Sequence, residues 1–583
     1  MPEALKPSLQ GWQFFRALWR LGSIYWTSPD AKWGLLLLGG AIAFELGTVQ
    51  ASVLVSGAQR HTIETLEHHD PSGFVMAAVI LVGFTLLSVF AATARIYVRQ
   101  VLEIRWRRVL TGAYLERWIG PQAYGQVHLH GGEIDNPDQR IAEDVRDFVA
   151  SALGLSLSLL AGVATLISFG GLLWTLSSSW LIPWRGSEHK VPGLLLWVAI
   201  GVALLSMWLT HLLGRRLVPI NYDRLRYEAD FRYGLVRYRD HTEEVALGRG
   251  EAIERLGAVA RFRNVVDVFL RLIRAELQLN FLTQNLSQLN SLVPLLLGSQ
   301  SYFAGLVTLG LIVQTRLAYD QVSGALSWFV NAYREIARWR ANIERLVALE
   351  QVMDETAHDL ANAEIRLAPS EPEAIRLVDL RLECPGGRVV LTGANALARS
   401  GDRVALLGAP GRGKTMLFRS VAGIWPFGTG RIERPRPERM LFLPHRPYMP
   451  LGTLRAAVTY PSAERDFDDA RLRETLAQVG LTALVPRLDE VESWDQQLSA
   501  HEKQLLAIAR ALLHRPEWLL LDEATSDLDE ADERRIIELL NERLPHSGWI
   551  ASGLRPRALE PATQRWRLAD GAAGDGVSTL QAA

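Results

Sequence analysis

Hydrophobic positions are concentrated before about residue 335, and charged sequence punctuated by prolines follows. A run of about 20 apolar residues is long enough to cross a bilayer as a helix. Four such runs are clear, and two later ones carry more polar residues. The predicted spans are residues 33–56, 74–97, 150–177, 192–213, 277–297 and 302–330. The pattern therefore predicts an all-α membrane domain of six helices within residues 1–349.

Aromatic residues are frequent just before the first span. They are interleaved with two arginines: Trp12, Phe14, Phe15, Arg16, Trp19, Arg20, Tyr25 and Trp26. This mixture predicts an interfacial helix on the inner membrane surface, and a frayed leader is the alternative. The N-terminus lacks a basic region followed by a short apolar stretch and a cleavage site, so we expect no removable signal peptide.

Arginines indicate the orientation of the spans. They cluster after the second span and again after the fourth: Arg99, Arg105, Arg107, Arg108, Arg117, Arg215, Arg216, Arg224, Arg226 and Arg232. Loops rich in Lys and Arg tend to be cytoplasmic. We therefore expect the N-terminus and the C-terminal domain to face the cytoplasm.

Amide side chains are unusually frequent in the fifth span. Gln284, Gln288 and Ser291 follow a helical stripe along it. Lipid-facing amides are costly, so the stripe predicts a hydrophilic translocation cavity. Hydrogen bonding between helices is the alternative. Glu45 in the first span is a second cavity candidate, and the alternative is that it is paired or lies near the interface.

The soluble part begins after a linker at residues 350–372 and extends over residues 373–570, with a tail at 571–583. Residues 403–407 are predicted to form a buried strand and residues 416–422 a helix. Between them lies a GxxxxGKT loop: Gly408, Ala409, Pro410, Gly411, Arg412, Gly413, Lys414 and Thr415. In this context the loop amides converge on phosphates. Lys414 neutralises phosphate oxygens, and Thr415 can hold Mg²⁺, so we predict an ATP site in an α/β domain.

Two acids end an apolar run about a hundred residues later. Residues 518–521 predict a buried strand that leads directly into Asp522 and Glu523. Asp522 can hold Mg²⁺ and Glu523 can polarise an attacking water. The alternative for an isolated strand is a pair of solvated acids, but the preceding phosphate loop favours the catalytic interpretation.

Composition excludes several other classes of protein. The formal net charge of −1 over 583 residues argues against a nucleic-acid binder held by a basic surface. Cys384 is the single cysteine, so a disulfide framework and a cysteine-rich metal site are excluded.

The soluble half resembles the ATPase domain of ABC transporters. The resemblance rests on residues 498–502 (LSAHE), residues 506–513 (LAIARALL) and residues 521–529 (LDEATSDLD), which look like the signature, Walker B and D-loop block. It implies that Ser499, Ala500, His501 and Glu502 of one domain close over the nucleotide held by another. Because the chain carries one such domain, it also implies a dimer, most simply a homodimer.

The membrane half resembles the SbmA/BacA-related transporters with a fused ATP domain, the YddA-like group. Four segments carry this resemblance: residues 106–111, 135–140, 228–232 and 325–329. It implies a six-helix exporter-type fold and substrates among peptides, peptide-like antibiotics or cobalamin-like solutes, often imported. The peroxisomal fatty-acyl-CoA transporters are more distant relatives. Arginine-rich composition suits a bacterial inner membrane.

The sequence departs from the ABC pattern at several positions. The Q-loop glutamine is replaced by His445, the paired signature glycines by Ala500 and His501, and the switch histidine by Leu554. A neutral imidazole can still ligate metal or water, whereas leucine cannot form a hydrogen bond to a phosphate. The departures predict secure nucleotide binding with weakened hydrolysis.

The leading hypothesis is thus an ATP-driven importer of a hydrophilic, peptide-like or cobalamin-like solute. A nucleotide-gated membrane regulator with little turnover is a second hypothesis, favoured by His445, His501 and Leu554. Transport of acyl-CoA or lipid is a third, which the amides of the fifth span disfavour.

Overall fold

The computed structural model describes residues 11–120, 137–178, 180–184, 187–370, 373–570 and 577–582. The chain divides into two compact units. The first comprises Met1–Tyr114 and Asp138–Val347, and the second comprises Leu115–Pro137 and Ala348–Ala583. The junction after Val347 lies close to the predicted boundary at residue 349. Of the segment at 135–140 that carries part of the family resemblance, Asp135 and Asn136 lie outside the described residues.

Helices form nearly all of the first unit. They are α1 (Trp12–Trp26), α2 (Ala31–Glu67), α3 (Pro71–Ile119), α4 (Val145–Ser177), α5 (Leu194–Gly214), α6 (Leu217–Asp240), α7 (Thr242–Leu247), α8 (Glu251–Phe303), α9 (Leu309–Leu326) and α10 (Trp328–Ala361). Pro137–Gln139 and a π-helical turn, Arg140–Asp144, precede α4. An antiparallel hairpin of β1 (Leu181–Trp184) and β2 (Ser187–Lys190) joins α4 to α5.

Four helical stretches among the described residues are long and apolar enough to cross a membrane: Ala31–Glu67, Pro71–Ile119, Pro137–Ser177 and Leu194–Gly214. They coincide with the first four predicted spans. The fifth predicted span, 277–297, lies inside α8, and its polar residues make it less apolar than these four stretches. The total of six spans stays a prediction.

The stretch predicted as the sixth span, 302–330, is not one helix. Helix α8 ends at Phe303, where Gly305 has a φ of 69° and the N–H of Leu306 donates to the carbonyl of Ser301. This left-handed glycine cap terminates a helix. Thr308 then caps α9, because its Oγ1 accepts a hydrogen bond from the N–H of Leu311.

Apolar packing in the first unit is concentrated where α4, α5 and α9 meet. The buried residues there include Phe169, Leu173, Leu195, Ile312 and Val322. Helix α3, by contrast, exposes a row of large apolar side chains: Val75, Val79, Val82, Leu86 and Phe90. An exposed apolar surface of this kind is typical of a helix that faces lipid.

A mixed sheet organises the second unit. Its strands, all within the described residues, are β3 (Ile365–Pro369), β4 (Ile375–Glu383), β5 (Val389–Ala398), β6 (Arg403–Leu407), β7 (Gly428–Arg434), β8 (Met440–Pro444), β11 (Trp518–Asp522), β12 (Gly548–Ser552), β13 (Gln564–Asp570) and β14 (Ser578–Ala582). Their order is β3-β7-β4-β5-β14-β13-β6-β12-β11-β8. Neighbouring strands from β13 to β8 are parallel, while β4 pairs antiparallel with β5 and β7. The short strands β9 (Gly452–Thr453) and β10 (Val491–Glu492) pair separately.

Helices complete the second unit. They are α11 (Lys414–Ala422), α12 (Leu454–Thr459), α13 (Asp469–Val479), α14 (Trp494–Gln497), α15 (Ala500–His514) and α16 (Glu530–Arg543). Short 3₁₀ turns lie at Pro437–Arg439, Glu464–Asp466, Thr482–Arg487 and Pro556–Leu559. Strand β11, buried except at Asp522, and the buried stretch 504–513 of helix α15 anchor the core between sheet and helices. The α/β prediction for this domain is confirmed.

Two predicted boundaries need correction. The predicted linker 350–372 contains the end of α10 and the whole of β3, which pairs with β7 as part of the sheet. The predicted tail 571–583 contains β14, which pairs with β13. Both segments were misjudged because short strands such as β3, at the sheet edge, and β14, between β5 and β13, carry no motif, and only their partners reveal them. Residues 571–576 and 583 lie outside the described residues.

Candidate functional site

Glycines shape the loop between β6 and α11. Strand β6 ends at Leu407 and α11 begins at Lys414, so the loop lies between strand and helix as predicted. Gly411 has a φ of 80° and Gly413 has a φ of 94°, values that residues with a side chain rarely adopt. The loop therefore turns sharply and leads into the N-terminus of α11. Backbone amides at a helix N-terminus favour a bound anion.

Lys414 connects this loop to the second motif. Its Nζ donates to the carbonyl oxygen of Gly408 at 2.8 Å and lies 3.9 Å from Oε1 of Glu523. The ammonium group thus lies between the loop and the acid. The ammonium that would contact a terminal phosphate and the carboxylate that would contact its attacking water are therefore close together.

Glu523 adopts a left-handed backbone conformation with a φ of 54°. Such a conformation costs a non-glycine residue about 1–3 kcal/mol and persists only when its surroundings impose it. The N–H and hydroxyl of Ser526 both donate to the carbonyl oxygen of Glu523, at 3.2 and 2.9 Å. Backbone strain of this kind concentrates at functional sites.

Thr415 and Asp522 line one cavity of about 550 Å³. Asp522 is the last residue of β11, and Thr415 lies in the first turn of α11. A hydroxyl and a carboxylate are the oxygen ligands that Mg²⁺ accepts, and Mg²⁺ in nucleotide sites needs only one or two carboxylates beside phosphates. The described residues contain no cluster of three His, Cys, Asp or Glu side chains suited to a metal. Thr415 and Asp522 therefore fit a Mg²⁺ that also takes phosphate oxygens as ligands.

His445 follows β8 and faces a different acid. Its Nε2 lies 3.6 Å from Oδ2 of Asp527, and the imidazole is 43% exposed. The carbonyl of His445 accepts a hydrogen bond of 3.2 Å from Nε2 of Gln504. The position predicted to contact metal and water is thus linked to the loop after Glu523.

Sequence reasoning missed two residues that hold this loop. Gln504, fully buried, donates to Asp527 Oδ2 and accepts from its N–H. Arg555 donates to the carbonyl oxygens of Leu528 at 2.7 Å and Ser526 at 3.4 Å. A lone amide before the apolar run of α15 was the available signal for Gln504. Nothing in the sequence indicates that Arg555 folds back onto this loop.

The signature segment starts α15 through a reciprocal cap. Ser499 Oγ accepts from the N–H of Glu502, and Glu502 Oε2 accepts from both the N–H and the hydroxyl of Ser499. Ala500 is the first residue of the helix and is exposed. This capping box stabilises the helix N-terminus.

His501, which stands where the pattern has glycine, contacts the helix after the D-loop. Its Nε2 lies 3.1 Å from Oδ2 of Asp532, whose Oδ1 accepts hydrogen bonds from Arg535. The Arg535 guanidinium, and secondarily His501, lower the pKa of the Asp532 carboxyl. His501, which belongs to α15, is therefore held against Asp532 of α16.

Leu554 follows β12 after Gly553, at the position predicted for the switch histidine. Its side chain is partly buried and packs against the core between sheet and helices. An apolar side chain packed in this way brings no hydrogen-bonding group to the site.

The candidate cavity residues fall into two groups. Glu45 is buried and accepts a hydrogen bond of 2.8 Å from Nη1 of Arg95 on α3, which fits the paired alternative.

Gln284 and Gln288 are exposed on α8, and Ser291, half-buried, donates to the carbonyl of Gln288. Another amide of α8, Asn290, accepts a hydrogen bond of 2.5 Å from the hydroxyl of Tyr319 and donates to Ser323 Oγ. Asn290 therefore bonds between helices, whereas the two glutamines face outward.

Comparisons with known proteins agree with this geometry. Residues 23–303 match the family model "ABC transporter transmembrane region 2", and residues 391–526 match the model "ABC transporter". An uncharacterised ABC transporter ATP-binding protein of Synechocystis sp. is 33% identical, with 89% of this chain and 78% of the relative covered. The inner membrane ABC transporter ATP-binding protein YddA of Escherichia coli is 28% identical over 94% of this chain and 95% of its own.

A more distant relative and a solved structure complete the comparison. ABC transporter D family member 2, chloroplastic, of Arabidopsis thaliana is 29% identical, with 89% of this chain and 81% of the relative covered. A bacterial Atm1-family ABC exporter with ATP bound shares the fold, with a TM-score of 0.69 at 17% identity over 91% of this chain and 93% of that one. The chain therefore belongs to the ABC transporter family, as a YddA-like half-transporter that fuses a membrane region to an ATP-hydrolysing domain and is related to the D family.

Proposed function

We propose that two copies of this chain form a homodimeric transporter that uses ATP and Mg²⁺ to import a hydrophilic, peptide-like or cobalamin-like solute across a bacterial inner membrane. In this proposal the N-terminus and the nucleotide-binding domain face the cytoplasm. One phosphate loop and one signature segment per chain support the dimer, because the family pattern requires both segments at each nucleotide.

The residues have the following proposed roles in the ATP site. The loop at 408–415 binds the phosphates, with Lys414 neutralising them. Thr415 and Asp522 hold Mg²⁺, and Glu523 polarises the attacking water. Ser499 and Glu502 of one copy close over the nucleotide of the other. The contact of His445 with Asp527 and the burial of Leu554 support the proposal that hydrolysis is attenuated.

The exposed amides of α8 carry the solute proposal. Gln284 and Gln288 lie one helical turn apart and both face away from the packed interior of the first unit. An amide side chain facing hydrocarbon is costly, so these positions support a water-filled path or a polar interface. Asn290 differs from them, because it bonds to Tyr319 and Ser323 of α9 and is accounted for by interhelical hydrogen bonding.

Uptake into proteoliposomes tests the proposal. The purified chain is reconstituted, and ATP-dependent movement of a labelled peptide, a cobalamin and an acyl-CoA is compared, with the nucleotide-binding domain outside or inside. We expect movement of a polar solute that is lost in Lys414→Ala and reduced in Gln284→Ala and Gln288→Ala. Gln300→Ala, an exposed glutamine on another face of α8, is the matched control. Unchanged transport in the Gln284 and Gln288 variants would reject the cavity.

Transport of acyl-CoA or lipid is a second candidate, favoured by the similarity to the D-family relative. It predicts that acyl-CoA stimulates ATP hydrolysis and that neither glutamine matters. A nucleotide-gated regulator is the third, favoured by the replacements at His445, His501 and Leu554. It predicts ATP binding without movement of any of the three solutes.

A further inference from the structure

Ser552, the last residue of β12, bridges the two acids at the end of β11. The strands are parallel neighbours, and Ser552 is paired in register with Asp522. Its hydroxyl donates to Oδ1 of Asp522 at 2.9 Å and accepts from the backbone N–H of Glu523 at 3.2 Å. The residue is 1% exposed. One buried hydroxyl therefore donates to the carboxylate of Asp522 and accepts from the backbone of Glu523.

The hydrogen bond to Asp522 bears on metal binding. An ionised carboxylate only accepts hydrogen bonds, and a donor on one oxygen orients the group and leaves the other oxygen for a ligand. Outer hydrogen-bond partners of this kind typically raise the metal affinity of a ligating carboxylate. Because Asp522 and Thr415 line the same cavity, the bond from Ser552 fixes the carboxylate beside the proposed Mg²⁺ site.

The hydrogen bond from Glu523 bears on its strained backbone. Its N–H is held by Ser552, while its carbonyl is held by Ser526, so the left-handed conformation is fixed from both sides. Gly553 contributes as well. A Cβ at this position would lie 3.0 Å from Cγ of Glu523, and its φ is 78°. The end of β12 thus shapes the space that Glu523 occupies.

We propose that Ser552 is a positioning residue for ATP hydrolysis, which orients Asp522 toward Mg²⁺ and holds Glu523 in place. The proposal rests on the metal role of Asp522 and the catalytic role of Glu523 proposed above. In this chain the end of β12 acts on the site through Ser552 and Gly553, because the side chain of Leu554 packs into the core instead.

Ser552→Ala in the full-length protein in nanodiscs tests the inference. Affinity for the non-hydrolysable analogue AMP-PNP is measured by calorimetry, once with EDTA and once with saturating Mg²⁺. The Mg²⁺ concentration for half-maximal ATPase activity is measured in parallel. We expect the affinity for AMP-PNP in EDTA to be unchanged. The increase in that affinity when Mg²⁺ is present should fall by roughly 10-fold or more, and the Mg²⁺ concentration for half-maximal ATPase activity should rise to match. Ser552→Thr, which keeps the hydroxyl, restores both values.

Two control variants separate the possible failures. Ser547→Ala removes a hydroxyl that donates to the carbonyl of Pro516 before β12, and it leaves the Mg²⁺ response unchanged. Asp522→Asn abolishes the Mg²⁺ response; if it does not, the proposed metal role of Asp522 fails, and the role of Ser552 with it. If Asp522→Asn acts but Ser552→Ala behaves like Ser547→Ala, the inference about Ser552 alone is overturned. The same holds if Ser552→Ala weakens AMP-PNP equally with and without Mg²⁺, which indicates general damage.

Discussion

Gln504 and Asp527 exchange two hydrogen bonds. Nε2 of the glutamine donates to Oδ2 of the aspartate at 3.1 Å, and the backbone N–H of Asp527 donates to Oε1 of Gln504 at 3.0 Å. The same Nε2 lies 3.2 Å from the carbonyl of His445. One buried amide of α15 therefore links the segment after β8 to the loop after Glu523.

Replacing Gln504 by leucine should impair turnover more than nucleotide binding. The change leaves the N–H of Asp527 and the carbonyl of His445, which are only partly buried, without their partner. Each lost hydrogen bond costs about 0.5–1.5 kcal/mol. Displacement of the loop that holds Glu523 is then expected to lower kcat roughly 10-fold, with little change in KM for ATP. Steady-state phosphate release by the protein in nanodiscs measures both constants.

An exposed glutamine provides the comparison for this variant. Gln496→Leu in α14 changes a solvent-exposed side chain and should leave both constants unchanged. Gln504→Glu keeps an acceptor for Asp527 N–H but places a carboxylate beside Asp527, so it is expected to be as impaired as leucine. Wild-type kcat in Gln504→Leu would show that the two loops are not linked through this residue.

Wild-type turnover itself is predicted to be slow. The switch position is an apolar side chain packed in the core, and His445 lies beside Asp527. We expect phosphate release well below the rate of on the order of 1–10 per second that is common for enzymes, yet above that of Glu523→Gln. A wild-type rate in the common range would contradict attenuated hydrolysis.

Leu554→His tests the cause of the slow turnover. A histidine there can donate a hydrogen bond to a γ-phosphate, so kcat should rise several-fold in spite of some loss of packing. Leu554→Asn introduces a polar group of a different reach and should not raise kcat. If histidine and asparagine act alike, the effect comes from altered packing and not from a restored contact.

Local motifs predicted the ATP domain well because each motif lies within a continuous stretch. The loop at 408–415 and the acids at 522–523 are found at strand ends, where the sequence pattern requires them. Ser552 and Arg555 escaped prediction because their partners are more than twenty residues away in sequence. A serine at a strand end has no distinctive pattern until the neighbouring strand is known.

The membrane half was predicted less completely, for a different reason. Hydropathy detects spans but not their interruptions, so the cap at Gly305 and the new start at Thr308 were read as one span. Glu45 shows the same limit. An acid at membrane depth is visible in the sequence, but its pairing with Arg95, fifty residues later, depends on how α2 and α3 pack.

The pair formed by Glu45 and Arg95 predicts a stability defect when it is broken. The carboxylate is only 6% exposed, so Glu45→Gln or Arg95→Gln leaves one poorly solvated group without its partner. Removing one partner of a buried pair costs about 3–5 kcal/mol, and the partial exposure of Arg95 places the expected loss at the lower end. Thermal unfolding in detergent measures the loss.

The double variant Glu45→Gln with Arg95→Gln distinguishes pairing from a transport role. If the residues act as a pair, the double variant is destabilised by less than the sum of the single variants. Its ATP-dependent transport should then be near wild type. Stable single variants that have lost transport would instead assign Glu45 to the solute path.

A half-buried histidine predicts a loss of stability at low pH. His514, at the end of α15, has its Nε2 within 2.9 Å of the carbonyl of Thr459 and 3.2 Å of that of Tyr460. Partial burial lowers the pKa of this imidazole and outweighs the hydrogen bonds to the two carbonyls, which act to raise it; Arg510 and Arg471 lower it further. Because the folded-state pKa lies below the unfolded value of about 6.5, the native state binds fewer protons than the unfolded state. The resulting stability is fully present above pH ~6.5 and is lost as the pH falls through the folded pKa.

Thermal unfolding of the full-length protein between pH 7.5 and 5.5 checks this prediction. His514→Gln, whose amide can donate to the same carbonyls, should flatten the decrease in unfolding temperature below about pH 6.5 while lowering the value at pH 7.5 only slightly. His546→Gln, an exposed histidine before β12, should retain the wild-type profile. An unchanged slope in His514→Gln would assign the acid sensitivity to other groups. The Asp532 carboxyl is not one of them, because its lowered pKa keeps it ionised over this range.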